Sequence, residues 1–154
     1  MNIQETLCTY DDSEILVRAK NILLEQVKSG PVFDTPTKVR DFLVLHTRDL
    51  EQEVFGVIWV DASHKLIVIQ NMFFGTIDAA SVYPREVVKA GLKRNAAACI
   101  FFHNHPSGNP SPSQADIRIT ERLKDALGMV DIRVLDHIVC GDSESVSMAE
   151  RGLI

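Results

Sequence analysis

Residues 98–116 read ACIFFHNHPSGNPSPSQAD, and this stretch decides how the rest of the chain is understood. The apolar run from Ala96 to Phe102 ends abruptly in His103-Asn104-His105. A loop with Pro106, Gly108, Pro110 and Pro112 follows, and Ser113-Gln114-Ala115-Asp116 opens a helical pattern. In a strand, residues i and i+2 point to the same side, so His103 and His105 project together if the pairing persists to the strand end. Two imidazoles and one carboxylate suit zinc and leave a fourth tetrahedral position for water. Asp116 completes that set if the loop folds back, and the loop prolines lower the entropy lost on ordering it. The expectation is one zinc ion held by His103, His105 and Asp116.

Simpler readings compete for each residue. Ser113 and Asp116 also fit a helix N-cap and its N3 partner, a role only partly compatible with metal ligation. An isolated H-x-H is usually two surface histidines. The letters His-Asn-His do not point to the nuclease class of that name, whose residues are dispersed. The combination carries the signal: an apolar strand, H-x-H at its end, a stiff loop and S-x-x-D.

The spacing H-x-H-P, six residues, S-x-x-D resembles the signature of the JAB/MPN zinc metalloproteases, matched by His103, His105, Pro106, Ser113 and Asp116. The fuller string HNHPSGNPSPSQAD, with GTIDAASVYPREVVKAGLKRNAAACIFF before it and LDHIVCGD after it, resembles the bacterial RadC-like (JAMM) branch. The likeness runs from about Asp34 to Ile154, dividing the chain into an N-terminal helical extension, 1–33, and a JAB/MPN domain, 34–154. Members of that branch often carry a further N-terminal helical, DNA-binding-like region, for which this chain is too short. The resemblance implies hydrolysis of a peptide or isopeptide bond in a protein or peptide substrate. It gives Glu53, in Glu53-Val54-Phe55, the part of general acid/base, and Ser113 that of hydrogen-bond donor to the oxyanion. Glu51 lies two residues away, and Glu53 also fits the polar end of a strand. A non-catalytic scaffold and a DNA-associated role are the alternatives.

Composition sets outer bounds. The chain has 154 residues, 45% hydrophobic and 24% charged, as expected of a globular domain able to bury a core. A formal charge of −5 opposes sequence-blind nucleic-acid binding, which depends on Lys and Arg releasing counterions. Cys8, Cys99 and Cys140 are odd in number and widely spaced, which reads as reduced thiols in a cytoplasmic protein. Without a P-C-x-x-C half-site the zinc deaminases are excluded. No signal peptide or membrane-spanning run is apparent, and oligomeric state is left open.

The remaining pattern predicts an α/β domain with a mixed central sheet flanked by helices, in the cytidine-deaminase-like arrangement that the resemblance implies. Ile15, Leu16, Ala19, Ile22, Leu23 and Val27 predict a helix to about Lys28, ended by Ser29-Gly30-Pro31. Thr35-Pro36 starts a second, from Thr37 to His46, with Val39, Phe42, Leu43 and His46 inward. Glu53–Asp61 and Lys65–Phe74 form a hairpin turned by Ala62-Ser63-His64, the first strand covered on both faces. After a loop over Gly75–Ser81, a third helix runs from Tyr83 to Arg94 with Val87, Val88, Ala90, Gly91 and Leu92 toward the sheet. Its basic end complements the helix dipole better than it marks a nucleic-acid site. A fourth helix runs from Ser113 to Gly128, with Gly128 as the residue after its end. Asp131–Cys140 and Ser145–Met148 are the last strands. Within the former, Asp136 and His137 interrupt an apolar run, and a structural or supporting hydrogen bond suits them better than closing the zinc with another ligand.

Overall fold

Seven consecutive apolar residues, Val54–Val60, form β1, and every one is buried. Only a strand covered on both faces has use for such a run. The computed structural model describes residues 11–28, 36–75 and 81–154, with five strands and five-strand order β2-β1-β3-β4-β5. β2 (Leu66–Phe74) pairs antiparallel with β1, and β3 (Ala98–Asn104) flanks β1 antiparallel on the other side. β4 (Arg133–Cys140) runs parallel to β3, and β5 (Ser145–Ser147) closes the far edge antiparallel to β4. The sheet is therefore mixed and flanked by helices, as predicted.

Alternation along the strands builds two cores. Ile58, Val60, Ala98, Ile100, Phe102, Ile138 and Cys140 face α2 (Pro36–Thr47), which supplies Val39, Phe42 and Leu43. Leu23 and Leu24 of α1 (Asp12–Lys28) pack against the same core. On the opposite face Phe55, Val57, Trp59, Cys99 and Phe101 meet Val87 of α3 (Pro84–Lys93) and Leu123 and Leu127 of α4 (Gln114–Gly128). His103 has the parity of Cys99 and Phe101, so it points toward α4, the helix that carries Asp116.

Several boundaries differ from expectation for local reasons. Gly128 is the last residue of α4, and Met129 caps it in a right-handed conformation. The left-handed residue comes later, at Asp131 with φ 58°, and β4 starts only at Arg133. Leu92 is 56% exposed rather than inward, because Val87 and Gly91 form the stripe of α3 that meets the sheet. Ile22 is likewise exposed, and Leu24 takes its place against the core. Asn95 ends the α3 region with φ 51°, and His64 turns the β1–β2 hairpin with φ 61°. The expected stop at Ser29-Gly30-Pro31, the Thr35 cap and most of the Gly75–Ser81 loop lie outside the described residues. Cys99 and Cys140 are free and buried, and burial pushes the Cys140 thiol up to about 12. No described helix is long and apolar enough to cross a membrane.

Candidate metal centre

β3 delivers His103 from its last buried turn of pleat, and His105 follows just beyond the strand end, its N–H donating to Cys140 O at 2.9 Å. The chain then turns through the proline loop into α4. Ser113 caps that helix: its Oγ accepts from Asp116 N at 3.1 Å, and its own N–H donates to Asp116 Oδ2 at 2.6 Å. Capping and convergence coexist because the cap engages only Oδ2 of the carboxylate, and both oxygens still face the histidines. Oδ1 faces His103 Nε2 at 3.2 Å, while Oδ2 lies 3.4 Å from His105 Nε2. The two Nε2 atoms are 2.9 Å apart. One ligand atom from each of His103, His105 and Asp116 lies within 4.8 Å of the others, so the three could hold a metal ion.

The remote ring nitrogens are also committed. His105 Nδ1 is 2.7 Å from Asn109 O, and a carbonyl can only accept, so the proton of that ring is on Nδ1. His103 Nδ1 is 2.8 Å from His137 Nε2. With the His105 proton on Nδ1, its Nε2 lone pair meets His103 Nε2 and the Asp116 carboxylate at one point, where a cation could sit. Protonation of His105 would let Nε2 donate to Asp116, which, opposed by burial, raises the pKa of this ring, and the charge of Glu53 adds a smaller push. Burial pushes the Asp116 carboxyl up, but the closeness of the His103 and His105 rings outweighs it and holds the group below the usual carboxylate range. Burial drives the pKa of His137 well below that of free imidazole.

Glu53 is half-buried just before β1, whereas Glu51 is exposed. Its carbonyl accepts from Gly75 N at 2.8 Å. The segment that carries it is latched by a residue the sequence did not single out. Asn104 Oδ1 accepts from Val54 N at 2.8 Å, and Asn104 Nδ2 donates to Gln52 O at 3.1 Å. The amide thereby prolongs the β1–β3 ladder past its last backbone pair. Thr120, four residues after Asp116 on the same helix face, lies 2.6 Å from His137 Nδ1 and was likewise not singled out. Asp136 takes no part in the cluster: it accepts from Ser147 Oγ at 2.6 Å and from Ala149 N at 3.0 Å, tying β4 to the C-terminal turn. His46 lies on the other face of the sheet, stacked on Phe42 and 3.2 Å from Asn71 Oδ1.

A mixed sheet with helices on both faces, and a His-His-Asp cluster at the end of its central parallel pair, defines a JAB-type domain. A family model described as a RadC-like JAB domain matches residues 33–153, and the chain belongs to that family. A UPF0758 protein of Cellvibrio japonicus (strain Ueda107) is 55% identical over 138 residues, 90% of this chain and 62% of its own length. One from Pseudoalteromonas translucida (strain TAC 125) is 53% identical over 140 residues, 91% and 62% of the respective chains. A shorter relative from Vibrio cholerae serotype O1 is 52% identical over 143 residues, 93% of this chain and 90% of its own. The chain thus spans about three fifths of the longer relatives, 62% in both cases, and nearly all of the shorter one.

Proposed function

We propose that this chain is a zinc-dependent hydrolase of the JAMM type that cleaves a peptide or isopeptide bond. One observation carries the reading: His103 Nε2, His105 Nε2 and the Asp116 carboxylate converge on one point. That is the donor set zinc prefers, two neutral imidazoles and one ionised carboxylate. Zinc at such a site supplies Lewis acidity, making water acidic near neutral pH and polarising a carbonyl.

The protein groups have complementary tasks. Glu53, half-buried and close enough to His105 to affect its charge, accepts the proton of the attacking water and returns it to the leaving nitrogen. Ser113 Oγ already accepts from Asp116 N, so its own proton is left to donate to the developing oxyanion. The net charge of −5 disfavours a nucleic-acid substrate relative to a polypeptide.

Zinc content of the purified protein tests the ligand set. Wild type and Glu53→Gln should each retain one zinc per chain, and His103→Ala and Asp116→Ala should retain essentially none. Full occupancy in the two ligand variants would sink the assignment. Incubation with cell extract, followed by mass spectrometry of new amino termini, tests the chemistry. Products made by wild type should be missing with Glu53→Gln; identical products from both would return the chain to the scaffold class.

A further inference from the structure

We infer that Thr120 and His137 form a one-way hydrogen-bond relay that fixes the tautomer of His103 and couples it to Asp116, so that both present lone pairs to the same cation. The inference rests on the metal-site reading above and adds two positioning residues to it.

The direction of the relay follows from a single hydroxyl proton. Thr120 Oγ1 lies 2.6 Å from Asp116 O, a carbonyl that can only accept, so the hydroxyl donates there. Met148 Sδ, at 3.9 Å, is a far weaker competitor for that proton. Thr120 Oγ1 also lies 2.6 Å from His137 Nδ1. Having spent its proton, the oxygen must accept there, so His137 carries its hydrogen on Nδ1. His137 is fully buried, at 0% exposure, which favours the neutral ring. Its Nε2 is then a lone pair, and His103 Nδ1, 2.8 Å away, must be the donor. The lone pair of His103 is left on Nε2, the atom that faces Asp116 and His105.

The fold goes to some length to bring His137 here. β4 carries one extra residue against β3: Cys99 pairs with Val134, but Ile100 pairs with Asp136. That bulge reverses the alternation, so Val134 and His137 both lie on the α4 face although they are three positions apart. Phe55 and Phe101 then wall the ring, with centroids 5.5 and 5.8 Å from it. A core position needing only an apolar filler would not require a ring bonded at both nitrogens.

The test compares Thr120→Val, which keeps the shape and removes the hydroxyl, with Thr120→Ser, which keeps the hydroxyl. Zinc affinity of the full chain is measured by competition with a chromophoric chelator. Thr120→Val should bind about 10–100-fold more weakly, the range seen when a hydrogen bond supporting the ligands from outside is removed, and Thr120→Ser should restore wild-type affinity. Long-range ¹H–¹⁵N NMR of the zinc-loaded wild type should show His137 protonated on Nδ1. Wild-type affinity in Thr120→Val, equal losses in both variants, or His137 protonated on Nε2 overturns the relay. The wild-type spectrum decides alone if Thr120→Val fails to fold. A wild-type chain that takes up no zinc overturns the metal-site reading and the relay together, whereas zinc uptake with an unaffected Thr120→Val overturns the relay only.

Discussion

Asn104 separates the two histidines in sequence, and its amide reaches sideways to the segment carrying Glu53. It is 4% exposed and bonded to the backbone on both sides of that residue. Asn104→Ala removes the acceptor of Val54 N–H inside the fold, a loss worth about 1–3 kcal/mol. The expected outcome is a lower denaturant midpoint with zinc stoichiometry unchanged, checked by urea unfolding and metal analysis side by side. Loss of zinc in this variant would show that the amide supports the histidines rather than the Glu53 segment. The convergence of His103, His105 and Asp116 was legible residue by residue, because H-x-H and S-x-x-D are local spacings with local geometric meaning. Asn104 and Thr120 were not, since an asparagine or threonine in a sequence carries no mark of the distant carbonyl or imidazole it will meet.

At the scale of the element, Gly56 shows how tightly β1 and β3 are fitted. The two strands pair Gly56 with Phe102, and a Cβ at Gly56 would lie 2.2 Å from the tip of that ring. Phe102 is fully buried in the α2-side core and has little room to move. Gly56→Ala is therefore expected to destabilise the fold by about 1–3 kcal/mol, the usual cost of overpacking. Chemical unfolding monitored by Trp59 fluorescence would check it, and an unchanged midpoint would mean the ring can swing aside. Hydrophobic period predicted each described helix and strand here, because burial demands it. It misplaced Leu92, since a run containing Val87, Val88, Ala90, Gly91 and Leu92 holds more apolar residues than the one stripe that reaches the sheet. It could not foresee the β4 bulge, which depends on the pairing partner rather than on the strand's own residues.

For the molecule as a whole, stability against acid follows from histidines buried in the neutral form. Burial lowers the pKa of His46 in the folded chain below that of a free imidazole. The unfolded chain then binds a proton that the folded one resists, so stability is full above about pH 6.5 and is lost as pH falls toward the folded pKa. His46→Gln, which keeps a polar partner for Asn71, should lose less stability between about pH 7 and pH 5 than wild type does. Urea unfolding at both pH values measures the difference, and parallel losses would remove His46 from the acid response.

The sequence by itself determined the alternating apolar strands, the helical stripes, the mixed α/β class and the three residues able to meet at one cation. These follow from backbone period and from spacings short enough for local geometry to govern. Only the tertiary structure decided that Asn104 latches the Glu53 segment, that a bulge turns His137 toward α4, and that Thr120 orients His103 through it. Those contacts join residues 17, 34 and 50 positions apart, and their hydrogen bonds exist only once strand register and helix placement have been settled by packing.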